Sequence, residues 1–151
     1  MIDMSREQLL KAMTSIDHTG SHCRNRIFEW MSTFMMVGIA VCVLITPRTI
    51  EMGAFRFMVE IGMTSGPVAI IFAVFGALRV VALYANGKWQ PLGARARFAG
   101  ALVAALMWFQ MLLALFLLGR VTGTLSIGIP VYLALTIGEI LSCHKAAIDE
   151  N

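Results

Sequence analysis

An arginine and two glutamates stand inside otherwise apolar stretches of this chain. Arg79 lies in residues 68–84, Glu29 in 27–45 and Glu139 in 125–141. A cation at depth in a bilayer costs several kcal/mol, about 3 by insertion scales, unless it is paired or near an interface. A carboxylate within reach of its planar fork relieves both charges. The same three groups have the chemistry to relay protons or hold a charged substrate. A proton path, however, needs polar groups across the whole membrane, and only Gln110, Thr136 and Tyr132 continue beyond the trio. The pattern therefore points first to a structural clamp in which Arg79 pairs with Glu29, Glu139 or both. The alternative is an Arg79 that snorkels to the interface without a protein partner.

Other reactive residues are less well placed. His22-Cys23 and Cys143-His144 flank the first and last apolar runs and supply four soft ligands. Adjacent residues on a helix point about 100° apart, and no C-x-x-C spacing accompanies them, so a zinc site is a weak reading. No glycine-rich phosphate loop, G-x-S-x-G elbow or H-E-x-x-H motif occurs, which argues against an enzyme. The eleven methionines fall mostly in apolar runs, as core or lipid-facing fillers. No cofactor or metal is implied.

Composition says what must position these groups. The chain has 151 residues, of which 58% are hydrophobic and 14% charged, with a mean hydropathy of +0.77. A soluble domain carries about 25% charge, so the chain belongs to the membrane class. Net charge is +3, but no basic run interleaved with aromatics exists, and nucleic-acid binding has no support. Three cysteines make no disulfide framework. Cys42 lies within an apolar run and reads as a small buried hydrophobe. The first apolar run begins only at Ile27 and no small-x-small site follows it, so it reads as an uncleaved span.

Taken in order, residues 1–26 form a polar segment with a short amphipathic surface helix over 5–16. Ser5 and Gln8 make a capping box, Met4 and Leu9 a staple, and Asp17 to Gly20 the end. The spans are 27–45, 68–84, 98–118 and 125–141, each near the 20 residues a bilayer requires. Residues 50–64 carry Glu51, Arg56 and Glu60 and are too short to span. They read as an interfacial helix capped by Thr49, with Arg56 and Glu60 as an i,i+4 pair. Asn86-Gly87 marks a turn in the basic loop 85–97, and 142–151 form a tail. Gly76, one turn before Arg79, and the pair Gly100 and Ala104 offer close helix contacts, within the bundle or between copies. The predicted fold is all-α: an integral membrane four-helix bundle with one surface helix and one interfacial helix.

Orientation follows from basic residues. Arg6, Lys11, Arg24, Arg26, Lys88, Arg95, Arg97 and Lys145 lie on the side of the termini, against Arg48, Arg56 and Arg120 opposite. Both termini are then cytoplasmic, with Trp30, Tyr84 and Trp89 as interface anchors. Arg79 lies six residues from Ala85, about 9 Å in from that end at 1.5 Å per residue. Arg24-x-Arg26-Ile27 and Arg95-x-Arg97-Phe98 open spans one and three. Pro67-Val68 and Pro130-Val131 open spans two and four, a weak repeat of two parallel hairpins. Ordinary punctuation at span ends is the preferred explanation.

Three stretches carry a family resemblance: Arg24-Asn25-Arg26-Ile27-Phe28-Glu29-Trp30, Leu78-Arg79-Val80-Val81-Ala82-Leu83-Tyr84-Ala85-Asn86-Gly87-Lys88-Trp89, and Arg97-Phe98-Ala99-Gly100-Ala101. With them the chain resembles small membrane proteins encoded by tailed phages and alphaproteobacteria. The resemblance implies a bacterial inner membrane and carries no functional residue. Two functions fit. One is a holin-like or other host-membrane factor acting in infection, although the tail lacks the strongly basic character of many holins. The other is a structural or accessory subunit of a larger membrane assembly. A small transporter or channel ranks third. The expected partners are the lipid bilayer and either further copies or a larger assembly.

Overall fold

The computed structural model describes residues 6–85 and 92–148, with side chains over 26–84 and 94–148. Five α-helices occur in it: α1 Arg6–Ile45, α2 Arg56–Glu60, α3 Ser65–Ala85, α4 Leu92–Thr122 and α5 Gly128–Ile148. Four of them, α1, α3, α4 and α5, contain apolar segments long enough to cross a bilayer: Arg26–Ile45, Ser65–Tyr84, Ala94–Thr122 and Gly128–Ile148. The chain is a multi-span membrane protein whose outer surface meets lipid.

The beginning of the chain differs from the sequence reading. α1 is one helix of 40 residues, about 60 Å long at 1.5 Å per residue, and it does not stop at Asp17 to Gly20. An interior glycine costs only about 1 kcal/mol relative to alanine, and no proline accompanies Gly20 to break the ladder. The separate surface helix over 5–16 is therefore replaced by a continuous rod whose last twenty residues are the first span. The Ser5 cap, Met4, the Asn86-Gly87 turn, the Trp89 anchor and the last three residues lie outside the described residues.

The interfacial helix over 50–64 is corrected as well. Thr46 leaves the helical region before Pro47, at φ −127° and ψ 85°, because the proline ring disfavours a helical residue ahead of it. Two 3-10 turns follow, Pro47–Glu51 and Gly53–Phe55, and then the single-turn α2. Thr49 lies inside the first turn rather than capping a helix. The cause is tertiary. Ala54 and Phe55 are buried, and a Cβ on Gly53 would overlap the Leu118 side chain of α4. The Phe55 ring meets Phe72 edge-on, with centroids 6.0 Å apart. Arg56 Nε donates to Glu60 Oε1 at 2.6 Å on the exposed side of α2. Gly62, at φ +83°, ends α2. The Met63 N–H bonds the Met58 carbonyl and the Gly62 N–H bonds Val59, a Schellman closure that requires glycine.

The later helices begin and end beyond their expected limits. α3 starts at Ser65 because Pro67 sits in the first turn, where its missing N–H costs nothing. α4 starts at Leu92 instead of residue 98 and so takes Arg95 and Arg97 into the helix. Gly123, at φ +73°, terminates it with its N–H on the Gly119 carbonyl. α5 begins at Gly128, whose N–H bonds the Ser126 hydroxyl at 3.2 Å, and runs on to Ile148.

α1 with α3 and α4 with α5 form the two most extensively packed pairs, each an antiparallel hairpin, and α3 against α4 joins them. The centre is filled by Trp108, Phe72, Met36, Met111, Val43 and Val68. In lipid, such packing works through dispersion and close approach rather than water exclusion. Buried alanines, Ala40, Ala69, Ala104 and Ala114, permit that approach. So does Gly76, where a Cβ would lie 2.9 Å from Val37 Cγ2 and 3.6 Å from the Val37 nitrogen. Gly138 faces the Phe28 ring, which a Cβ there would overlap. Cys42 is exposed on the apolar surface of α1, so its expected burial is corrected to a lipid-facing position.

Gly76→Leu should force α1 and α3 apart. The expected loss is about 1–3 kcal/mol, as for other overpacked sites. Gly38→Leu, at a position with nothing within 4 Å of a Cβ, should stay within about 0.5 kcal/mol. Thermal denaturation of both variants in detergent checks the contrast.

Candidate functional site

The one polar concentration between the described spanning segments lies toward the end of the bundle that holds the start of the α1 span. Each spanning helix contributes one charged side chain to it: Glu29 from α1, Arg79 from α3, Arg97 from α4 and Glu139 from α5. Their exposures are 2%, 4%, 7% and 0%, so none of the four reaches solvent or lipid to any extent. Arg79 Nη2 donates to Glu139 Oε2 at 2.5 Å, and Arg97 Nη2 donates to Glu29 Oε1 at 2.7 Å.

The pairing runs across the bundle. α1–α4 and α3–α5 are not among the extensively packed helix pairs, yet the ion pairs join α1 to α4 and α3 to α5. The long, planar arginine fork makes such a reach possible. Neighbouring helices of the two hairpins instead carry like charges, Arg79 beside Arg97 on α3 and α4, Glu29 beside Glu139 on α1 and α5.

Smaller polar groups extend the arrangement. Trp108 Nε1 of α4 donates to Ser32 Oγ of α1 at 2.9 Å, again across the bundle. Thr33 Oγ1 donates to the Glu29 carbonyl at 2.7 Å and Thr136 Oγ1 to the Tyr132 carbonyl at 2.7 Å. Both satisfy a hydroxyl within their own helix. The Tyr132 ring stacks on Trp108 at 5.9 Å. Gln110 Nε2 is buried without a hydrogen-bond partner. Among the described residues, Gln110, Thr136 and Tyr132 therefore do not link the charges to the other membrane face.

Of the three charges singled out from the sequence, the structure joins Arg79 to Glu139 and gives Glu29 a different partner. That partner, Arg97, belongs by sequence to the basic loop 85–97, which ends where the third span begins. A charge count carried the missing signal: two carboxylates against one guanidinium leave an uncompensated negative charge in lipid. Gly100 faces Arg79, 3.9 Å from its Cγ to a Cβ built on the glycine, and Ala104 is fully buried. Ala104 thus lies inside the bundle, and Gly100 is half-buried. Trp30 is half-buried with its ring 5.8 Å from Phe34, and Tyr84 is exposed. Cys143 Sγ donates to the Phe98 carbonyl at 3.8 Å and His144 is exposed. The side chains of His22 and Cys23 are outside the described set.

No protein-family model, characterised protein or solved structure matches the chain. What stands is a four-span helical membrane protein with buried ion pairs, and no family is assigned.

A buried pair that loses one partner leaves an uncompensated charge, which costs about 3–5 kcal/mol. Arg97→Leu and Glu29→Leu should each destabilise by that amount, and the double variant by much less. Arg79→Leu and Glu139→Leu should behave alike. Arg26→Gln, an exposed charge on α1, should change stability by no more than about 0.5 kcal/mol. Unfolding in mixed micelles, run as a double-mutant cycle, measures each coupling.

Proposed function

We propose that this is a non-enzymatic, multi-pass protein of a bacterial inner membrane, with both termini cytoplasmic, that serves as a structural or accessory subunit of a larger membrane assembly. One observation carries the reading. The four charges buried between the helices are engaged with one another, and the space along the bundle is filled by Trp108, Phe72 and Met36. In this arrangement the charges act as a clamp rather than as a binding centre. The outward faces remain broad and apolar, with Ile27, Phe34, Leu44, Ile70, Val81, Leu106 and Ile140 exposed. Such faces suit lipid and helical partners alike.

The excess of Lys and Arg on the side of the termini supports the orientation, and it persists when Arg97 is set aside as a member of a buried pair. The quartet then lies in the cytoplasmic half of the bilayer. The holin-like reading, to which the resemblance to phage-encoded proteins leads, requires a water-filled path. A transporter or channel requires one too, and the filled centre of a single bundle argues against both.

Induced expression in a bacterium should leave a potential-sensitive dye signal and growth unchanged, while purification in mild detergent recovers a second protein in stoichiometric amount. A collapse of the potential on induction would overturn the proposal in favour of a permeabiliser. A fluorescent protein fused after Asn151 should fluoresce, as it does only on the cytoplasmic side.

A further inference from the structure

The geometry points to a binding site for one water molecule inside the charge quartet, placed so that it joins the two ion pairs into a single network. Each pair uses one arginine nitrogen and one carboxylate oxygen. Beside Glu139 Oε1, that leaves two atoms, Glu29 Oε2 and Arg79 Nη1, buried and without a hydrogen-bond partner. These two atoms belong to different pairs. They also have complementary needs, since the carboxylate oxygen accepts and the guanidinium N–H donates. Buried polar atoms of this kind are ordinarily satisfied by protein or by ordered water.

Glu29 and Arg79 line one and the same cavity, with Arg97 beside them. Its remaining walls include Ala96, Gly100 and Ala101, small side chains that leave the space open. Its volume is about 10 Å³, at the lower limit for a single water and too small for more. A water there donates to Glu29 Oε2 and accepts from Arg79 Nη1, which meets the two polar partners a buried water needs. The quartet is balanced, two carboxylates against two guanidiniums, so a neutral ligand suits it better than an ion. The bridge ties Glu29–Arg97 to Arg79–Glu139 and thus links all four spanning helices at one point.

The test is solid-state NMR of the full labelled chain in bilayers, with magnetisation selected from water. The Arg79 and Glu29 side-chain signals should receive water polarisation despite their burial. In Gly100→Val, whose branched side chain occupies the cavity, transfer to Arg79 should fall several-fold while exposed Arg56 is unaffected. Gly100→Ala serves as a second variant, because a Cβ there makes only an ordinary contact, 3.9 Å from Arg79 Cγ. It narrows the cavity without a clash and should shift the transfer in the same direction. Absence of transfer to Arg79 and Glu29 in the native chain, or transfer in both Gly100 variants equal to that in the native chain, would overturn the proposal.

Discussion

Charge balance in a medium that solvates charge poorly is the constraint on which the bundle depends. Each hairpin buries one acid and one base, in opposite order: acid then base along α1 and α3, base then acid along α4 and α5. The two buried charges of each hairpin balance, but they are satisfied by the other hairpin. Docking is thereby made specific. Exchanging the partners across the bundle would match Glu29 with Glu139 and Arg79 with Arg97, leaving all four charges without an opposite partner, and that penalises the arrangement. Apolar surfaces alone discriminate poorly in lipid, where every exposed face is equally at ease. The ion pairs supply the missing register, and the Trp108–Ser32 bond, on the α1–α4 diagonal, adds a second fix deeper in the bundle.

Packing explains why the arrangement closes where it does. Gly76 brings α1 close to α3, and Gly138 leaves room for the Phe28 ring between α1 and α5. Both glycines lie near the quartet in sequence, three residues before Arg79 and one before Glu139. The same shortage of side-chain volume that lets the helices approach lets the long arginines reach the opposite helix. Away from the quartet the centre turns apolar. Trp108 and Phe72 fill it, and Phe55 closes on Phe72 from the connection between α1 and α3.

The sequence makes some of this legible and hides the rest for physical reasons. Four apolar runs announce four spans, because length and hydropathy are local properties. Arg79, Glu29 and Glu139 are visible because each is alone among apolar neighbours. Arg97 is hidden because it borders the span. Whether it belongs to a loop or to the first turns of a helix depends on where α4 starts, and that is set by packing against α5. The connection at 47–60 is hidden for a related reason. Thr49, Arg56 and Glu60 argue locally for one helix, and the close approach of Gly53 to Leu118 overrides them. In α1 the difference runs the other way: Gly20 looks like a terminator, but the helix continues through it, since a lone interior glycine costs only about 1 kcal/mol.

The placement of the charges also bears on what the bundle can do. An axial path through it must pass between helices that the ion pairs join diagonally. Opening such a path separates at least one pair, at a cost of about 3–5 kcal/mol if the charges find no new partners. A transport cycle would need a second set of groups to receive them, and Gln110, Thr136 and Tyr132 are engaged elsewhere or isolated. Lateral association meets no such barrier. The lipid-facing side chains of α1, α3 and α5 can exchange lipid contacts for protein contacts while the quartet stays closed. A fold that fixes its own helices with internal charges and keeps its outside apolar fits the proposed role of a subunit contacted from the side.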